Sequence, residues 1–293
     1  MALIDSIIRG LNTANNTALS GSLHVGGEAV NSSIAAAKLG LKTGIVCALG
    51  DDVAGSIIRA ALAKHNVDTI ITTAPQTPVT TMFVGEDGNR KSIINDAHCF
   101  HPIRYEAADS RVTIIGSLFR APFDASEFIN SFLETRKGLI IADTKLPRKQ
   151  SIAKGLQDIA PLLPLLDYIT PNEEEARYFT RQDKPSKMAD VFLEYGVKNV
   201  IIKLGSKGCY FKSEKEEFYI SGYKIKAIDA TGAGDNFVAG FVSEILRGKP
   251  TQEALCFANA CGAICTTAEG AGTALKNRGQ VLNWLAIPQN KEF

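Results

Sequence analysis

Short apolar runs alternate with amphipathic or small-residue segments along most of the chain. The runs lie at residues 43–49, 112–116, 139–143, 168–170 and 200–204. Continuous apolar runs of this length are typical of parallel strands covered on both faces. Segments such as 28–39 and 53–64 have the length and spacing of the helices that connect such strands. The pattern predicts an α/β fold, a three-layer sandwich around a mostly parallel central sheet.

Two regions do not follow this alternation of strands and helices. Residues 78–95 (PVTTMFVGEDGNRKSIIN) have the pattern of a hairpin that turns at Asp87-Gly88. The earlier polar, irregular segment is expected to supply the other strands of the same small sheet. We therefore predict a single domain over residues 1–293, with a small β-sheet lid formed by about residues 7–25 and 77–100. The last third, by contrast, is predicted to be helical, with helices over 233–246 and 253–265.

Composition narrows the class of protein. The chain has 293 residues, of which 45% are hydrophobic and 22% charged, which excludes a disordered polypeptide. A formal net charge of +1 argues against a general nucleic-acid binder or a polybasic membrane-surface protein. No apolar run approaches the roughly 18 residues of a membrane span, and the start lacks the basic region of a secretion signal. The six cysteines form no Cys-x-x-Cys pair, so we expect core thiols in a cytoplasmic protein.

The strongest candidate for chemistry is the segment 229–235 (DATGAGD). Glycines at the start of a predicted helix leave unpaired amides that point outward along the helix dipole, which suits a phosphoryl group. Asp235 follows the glycines in the first turn, where a carboxylate is able to take a proton from an attacking hydroxyl. The alternative is a plain loop before a helix with an acidic first turn. Neither a Walker P-loop nor a Rossmann glycine pattern is present.

Six segments, in order along almost the whole chain, resemble the motifs of the ribokinase-like (PfkB) carbohydrate kinases, most closely uncharacterised bacterial sugar kinases. They are 26–31 (GGEAVN), 50–55 (GDDVAG), 171–175 (PNEEE), 204–208 (LGSKG), 229–235 (DATGAGD) and 257–260 (FANA). The resemblance implies a ribokinase-like fold. It also implies ATP- and Mg²⁺-dependent phosphorylation of a hydroxyl, most simply a primary one, of a sugar or sugar derivative.

The same resemblance implies the catalytic groups. Asp235 is expected to be the general base for the sugar hydroxyl. The amides of Gly232, Ala233 and Gly234 are expected to form the anion hole for the γ-phosphate.

On the acceptor side, the resemblance implies that Gly26, Gly27 and Asn31 contact the sugar and that Asp5 accepts hydrogen bonds from its hydroxyls. An acid at a frayed chain end is the alternative for Asp5. Three further candidates, Asp143, Lys145 and Asn95, come from position, and exposed charges at a strand end are the alternative for Asp143 and Lys145. Asp143 ends an apolar run, and the carboxyl ends of parallel strands form the ligand crevice in α/β sheets. The Lys145 side chain is expected near the phosphates, and Asn95 on the hairpin is expected to close over the sugar.

The expected nucleotide contacts are Lys203, Gly205, Gly208 and Asn259. The alternative for Asn259 is a buried helix amide without a ligand.

Asn172 and Glu175 are implied to organise Mg²⁺, mostly through water, although the same spacing is that of a capping box. Both interpretations can hold together.

A monovalent-cation site, for potassium (K⁺), is also implied. It consists of Asp229 and the carbonyls of Thr231, Cys265, Ala268 and Gly270.

One departure from the family pattern concerns the start of the chain. Family members begin with an apolar strand before the early Asp, whereas here Asp5 is reached at once. We therefore expect one strand inside the sheet to be missing, which would leave hydrogen-bonding edges uncovered. We also expect a homodimer through the lid.

Two other functions stay open. A nucleoside kinase of the same fold would use Met82 and Phe83 as an apolar wall for a base. A catalytically silent homologue would bind sugar or nucleotide without turnover.

Overall fold

The computed structural model describes residues 2–9, 18, 20–85, 90–95, 109–120, 135, 137–148, 151 and 153–287. The predicted turn at Asp87-Gly88 lies outside these residues. The strands are β1 (Leu3–Arg9), β2 (Ser20–Gly26), β3 (Gly44–Gly50), β4 (Asp68–Ala74), β5 (Val79–Val84), β6 (Arg90–Asn95), β7 (Val112–Leu118), β8 (Leu139–Thr144), β9 (Tyr168–Ile169), β10 (Asn199–Lys203), β11 (Gly208–Ser213) and β12 (Glu217–Ser221).

The α-helices of the described residues lie between and after these strands. They are α1 (Glu28–Lys38), α2 (Val53–Lys64), α3 (Glu173–Thr180), α4 (Pro185–Glu194), α5 (Ala233–Ile245), α6 (Thr251–Cys265) and α7 (Arg278–Leu285). Most predicted boundaries differ from these by one or two residues, the usual uncertainty at helix and strand ends. Gly40 follows α1 with a φ of +86°, as expected of a glycine just after a helix. No helix of the described residues is long and apolar enough to cross a membrane.

The largest sheet has six strands in the order β12-β11-β10-β9-β8-β7. Strands β7 to β10 run parallel, and β11 and β12 continue the sheet antiparallel. Successive buried residues point to opposite faces, so Ile140 packs with α3 and α4 whereas Ile141 packs with α5 and α6. This alternation produces the predicted three layers and confirms the α/β class of the fold. It also brings the carboxyl ends of β7, β8 and β10 to one edge of the sheet.

Strands β3 and β4 pair with each other, in parallel, as a separate two-stranded sheet. Helix α1 packs against both β3 and β7. Within the described residues, no backbone hydrogen bonds connect β3 to β7. That one strand is missing from the sheet stays a prediction.

The remaining strands form a four-stranded sheet in the order β2-β1-β5-β6. It contains the two regions from which the lid was predicted, but β1 begins at Leu3, earlier than the predicted boundary. Asp5 therefore lies inside a strand, where it pairs with His24 of β2 and Thr80 of β5. Because side chains alternate along a strand, these residues share one face of the sheet, and Ser6, one position on, lies on the other.

The turn between β3 and α2 anchors this sheet. Asp52 caps α2 by accepting a hydrogen bond from the Gly55 amide at 2.7 Å. Its second carboxylate oxygen accepts from the amide of Thr77, two residues before β5, at 2.8 Å. The segment 50–55 thus has a clear structural role, because it fixes where the four-stranded sheet leaves the body of the protein.

Candidate active site

The start of α5 is built around Gly232. This residue has a φ of +76°, in the left-handed region that favours glycine. A Cβ atom there would lie 2.1 Å from the Ala271 Cβ, so a side chain is also excluded by space. The Asn236 side chain fixes the turn by donating to the carbonyls of Gly232 at 2.8 Å and Ala271 at 2.9 Å. Local backbone freedom and a packed neighbour therefore determine the shape of this loop.

The amides of this loop are only partly free. Within the described residues, those of Gly232 and Gly234 make no hydrogen bond, whereas the Ala233 amide donates to the Ala230 carbonyl at 3.2 Å. Two of the three amides expected for an anion hole are thus available, and the third has a long, weak internal bond. The positive end of the helix dipole lies behind them, which favours an anion at this position.

Asp235 lies in the first turn of α5 and is only 6% exposed. One carboxylate oxygen accepts a hydrogen bond from the Asn31 side chain of α1 at 2.7 Å. Burial raises the pKa of Asp235 to about 7, and nearby Glu28 contributes in the same direction. A carboxylate with this pKa is well matched to proton transfer near neutral pH.

Asp5 and Gly26 come together across β1 and β2. A Cβ on Gly26 would lie 2.1 Å from an Asp5 carboxylate oxygen, so the glycine makes room for this acid. Burial raises the pKa of Asp5 to about 6, while His24 acts in the opposite direction. Gly27 has a φ of +92° and precedes α1, so the chain turns here directly from the four-stranded sheet towards Asn31. These four predicted acceptor residues thus occupy one corner of the molecule.

Three buried carboxylates meet beside this corner. Oxygens of Glu28, Asp143 and Asp235 lie within 4.8 Å of one another. Two ammonium groups already compensate them, since Lys145 lies 2.7 Å from Glu28 and Lys203 lies 2.6 Å from Asp143. Burial alone would lower the pKa of Lys145, but the surrounding carboxylates raise it above its ordinary value. The cluster is therefore a network of ion pairs rather than a set of free metal ligands.

Asn172 and Glu175 form a complete capping box at the start of α3. The Glu175 amide donates to the Asn172 side chain at 2.8 Å, and the Asn172 amide donates to the Glu175 carboxylate at 3.0 Å. Thr144 also donates to that carboxylate, at 2.9 Å. Burial is the largest cause of the raised pKa of Glu175. Carboxylate and amide oxygens suit Mg²⁺, and since both are already hydrogen-bonded, an ion would bind here through water.

Lys203 connects this edge of the sheet to the helix start. Its ammonium lies 3.3 Å from the position that a Cβ on Gly234 would occupy. A backbone bridge between Asn172 and Lys203 holds α3 and β10 together at the same place. The structure therefore brings Lys203, Asp143, the capping box and the glycine loop into one crevice.

The other predicted nucleotide contacts have different surroundings. Gly205 has a φ of +61° and open space where a side chain would lie. A Cβ on Gly208, in contrast, would lie 2.0 Å from the Ile220 carbonyl, so strand packing by itself requires this glycine. The Asn259 side chain is buried and makes two long hydrogen bonds to the carbonyls of Ile220 and Ser221, at 3.5 and 3.4 Å.

The residues expected to bind a monovalent cation surround Asp229. Its carboxylate accepts hydrogen bonds from the Thr231 amide at 3.0 Å, the Thr231 hydroxyl at 2.7 Å and the Gly270 amide at 3.0 Å. The Cys265 thiol lies 3.4 Å from the Thr231 carbonyl. Ala268 lies in the turn between Cys265 and Gly270. The structure brings together the segments 229–231 and 265–270, and Asp229 connects them through its hydrogen bonds with Thr231 and Gly270.

Several residues of this region were not among the sequence candidates. Glu28 and Ser117 form a 2.5 Å hydrogen bond at the centre of the crevice. Glu269 accepts hydrogen bonds from Arg9 at 3.0 Å and Ser22 at 2.6 Å, so it connects the 265–272 loop to the four-stranded sheet. No local motif indicates either contact, because the partners lie far apart in the chain. Asn95, which was a candidate, is exposed at the end of β6.

Comparisons with known proteins agree with this geometry. Residues 2–278 match the model of the pfkB family carbohydrate kinases. The chain is 30% identical, over 274 residues, to a ribokinase of Haemophilus influenzae, covering 89% of this chain and 87% of the relative. It is 29% identical to a probable fructokinase of Arabidopsis thaliana, covering 85% of this chain and 84% of the relative. The chain therefore belongs to the pfkB family, and it is a carbohydrate kinase.

Solved structures extend the likeness to the whole fold. The Thermotoga maritima ribokinase superposes with a TM-score of 0.82 at 26% identity, covering 97% of this chain and 96% of the other. The Arabidopsis thaliana ribokinase, solved with ribose and ATP, gives a TM-score of 0.81 at 24% identity, with the same coverage of both chains. The predicted ribokinase-like fold is thus confirmed.

Proposed function

We propose that the protein transfers the γ-phosphoryl group of Mg·ATP to a primary hydroxyl of a sugar or sugar derivative. The observation that carries this proposal is the position of Asp235, a buried carboxylate held by Asn31 directly after the free amides of Gly232 and Gly234. A base and an anion site next to each other are what in-line phosphoryl transfer requires.

In the proposed reaction, the acceptor hydroxyl loses its proton to the Asp235 carboxylate while its oxygen forms a bond to the γ-phosphorus. The bond from that phosphorus to the β,γ-bridging oxygen breaks, and ADP leaves. The Gly232 and Gly234 amides, with a lesser contribution from Ala233, stabilise the charge on the transferring group. Asp5, Gly26, Gly27, Asn31 and Asp143 orient the sugar.

The nucleotide would lie along Lys203, Gly205 and Gly208, with Asn259 near the adenine side. The open space at Gly205 supports this placement better than Gly208, whose surroundings are those of a packed strand. Mg²⁺ would neutralise phosphate charge and would be held near Asn172 and Glu175 through water. Potassium would bind at Asp229 with the carbonyls of Thr231, Cys265, Ala268 and Gly270.

The four-stranded sheet is proposed to act as a lid that excludes water. Asn95, the residue expected to close over the sugar, lies two positions after Ile93 and so shares the face opposite Asp5, which leaves this contact with less support. Its outer face supports a homodimer. Leu23, Ser6, Thr81 and Ile93 are aligned in one row across the sheet, on the face opposite Asp5, and the two apolar ends are 64% and 66% exposed. Leu23→Asp should shift the protein to monomer in light scattering, and an unchanged dimer would contradict this arrangement.

A cytoplasmic location completes the proposal. The described cysteines, Cys47, Cys209, Cys256, Cys261 and Cys265, are all free thiols, as is usual in a reducing compartment.

The nucleoside kinase alternative has weaker support. Met82 pairs with Ile7 and so shares the face of Asp5, but Phe83 pairs with Ile8 on the opposite face. The expected apolar wall is therefore reduced to one methionine.

An ADP-release screen tests the proposed function. Ribose, fructose, sugar acids, polyols and nucleosides would be offered with Mg·ATP, in potassium and in sodium buffer. We expect turnover with at least one sugar and faster turnover in potassium. ATP binding without ADP release for every acceptor would favour the silent homologue instead.

A further inference from the structure

Lys145 is the cation of the crevice that the proposed mechanism does not yet use. It follows β8 and ion-pairs with Glu28 of α1 at 2.7 Å, and with Glu175 of α3 at 3.8 Å. Its side chain is 37% exposed, whereas that of Glu28 is buried. The Ser117 hydroxyl holds the second oxygen of Glu28 at 2.5 Å. Residues of α1, α3 and β7 thus hold the Lys145 ammonium group in position.

The two lysines of the crevice lie on different sides of the reacting atoms. Lys203 is next to Gly234 and the free amides, on the side of the phosphate donor. Lys145 is held by Glu28, which directly follows Gly26 and Gly27 on the acceptor side. The carboxylates of Glu28, Asp143 and Asp235 form one cluster, in which Glu28 pairs with Lys145 and Asp143 pairs with Lys203.

Phosphoryl transfer moves negative charge from the donor side of the crevice to the acceptor side. Before transfer, the γ-phosphoryl lies at the amides and Lys203. After transfer, it is bonded to the acceptor oxygen, close to Asp235 and among the buried carboxylates. The negative charges of the phosphoryl group and of these carboxylates repel each other strongly where solvent is largely excluded. A cation on the acceptor side is therefore needed, and among the described residues Lys145 is the one whose ammonium ion-pairs there.

Resting on the proposed function, we infer that Lys145 is a further catalytic residue that binds the phosphoryl group on the acceptor side during and after transfer. Glu28 and Ser117 are the positioning residues that hold its ammonium. Lys145 forms no covalent bond and exchanges no proton in this role. It acts as a counter-charge, which Glu28 keeps in place before substrate arrives.

A simpler role would be structural, with Lys145 serving only to neutralise buried Glu28. The variant E28Q/K145M separates the two roles, because it removes both charges of the pair and leaves the net charge of the crevice unchanged. A structural role predicts that this variant binds phosphate like the wild type. The phosphoryl role predicts that it stays impaired.

The measurement is calorimetric binding of inorganic phosphate in the presence of saturating Mg·ADP. We expect K145M and E28Q/K145M each to weaken phosphate binding at least about tenfold, since an ammonium–phosphate hydrogen bond is lost. K145R should stay within about threefold of wild type, because it keeps the charge. The control is K187M on α4. Lys187 pairs with Asp190 of the same helix at 3.1 Å and takes no part in the carboxylate cluster.

Wild-type affinity in E28Q/K145M would overturn the inference, and so would failure of the wild-type protein to bind phosphate.

A second measurement uses the sugar that the wild type turns over best. K145M should weaken inhibition by its phosphate ester at least about tenfold, while binding of the sugar itself changes less than about threefold. Phosphate binding requires no acceptor. A wild-type protein without turnover would therefore contradict the proposed function, while the calorimetry still decides the role of Lys145.

Discussion

The two sides of the crevice are built in different ways. On the donor side, the backbone of residues 229–236 is shaped by one left-handed glycine, by a hydrogen bond that Asp229 accepts and by one that Asn236 donates. On the acceptor side, charged side chains from separate elements face one another as ion pairs, as Glu28 and Lys145 do. Backbone amides bind any phosphate of suitable shape, whereas side chains distinguish one acceptor from another. The donor side can therefore be shared across a family while the acceptor side differs.

The largest effect is expected where the two sides meet, at Asp235. Asp235→Asn keeps the shape of the side chain but cannot accept a proton, so kcat should fall at least about 10²-fold. ADP release measures this directly. Asp190→Asn, which alters a partly exposed acid of α4, is the control and should have no effect on turnover. Turnover within about threefold of wild type would show that the base lies elsewhere.

The shape of the donor loop is tested by two glycines with the same backbone angle. Gly232 and Gly248 both have a φ of +76°, but only Gly232 has a neighbour where a Cβ would lie. Alanine at either position costs about 1–2 kcal/mol for the left-handed conformation. Gly232→Ala adds the overlap with Ala271 and displaces the amides, so kcat should fall about 10²-fold or more. Gly248→Ala should lower the melting temperature only.

Equal activity of these two alanine variants would contradict a donor side that depends on backbone shape. Measuring the melting temperature of both separates loss of fold from loss of the amide positions.

The acceptor side should depend on pH. Because the pKa values of Asp235 and Asp5 are raised, to about 7 and about 6, both acids become protonated as the pH falls through this range. A protonated Asp235 cannot act as a base. The kcat/KM for the acceptor should therefore be about tenfold lower at pH 6 than on its plateau above pH 8. A flat profile between these values would mean that binding of substrates returns Asp235 to an ordinary carboxyl pKa.

The smallest effect is expected at Glu269, which joins the loop beside the donor side to the four-stranded sheet. Its ion pair with Arg9, at 2.9 Å, is about one third exposed on both side chains. Pairs of this kind contribute at most about 1 kcal/mol. Glu269→Gln should therefore raise KM for the acceptor by no more than about fivefold, with kcat unchanged. Glu253→Gln is the matched control, because it removes the acid of an exposed ion pair between Lys249 and the first turn of α6.

The parts of the site that depend on backbone shape could be predicted from the sequence. Glycines at 232 and 234, followed by Asp235, indicate a helix start with free amides because glycine and acidic residues have strong local preferences there. The alternation of apolar runs and helices likewise predicted the layers, since strands and helices bury their faces with fixed periods. The capping box of Asn172 and Glu175 was visible in the sequence for the same reason.

The ion pairs and hydrogen bonds between distant segments could not be predicted in this way. Lys203 and Asp143 are 60 residues apart, and Glu28 and Ser117 are 89 apart, so no local pattern connects them. The start of β1 was also placed too late. A strand whose polar residues include a half-buried acid, Asp5, lacks the regular alternation on which such a prediction depends. Ala233 was given a free amide because the loop's own hydrogen bond, to Ala230, depends on the actual turn.

The close packing of Gly232 against Ala271 makes position 232 independent of the side chain at its neighbour. Glycine at 271 would remove the Cβ that lies 2.1 Å away, but the Cα of residue 271 would still lie 2.8 Å from a Cβ at 232. The left-handed φ of +76° disfavours a side chain there as well. In a collection of diverging sequences, position 232 should therefore stay glycine whatever residue stands at 271.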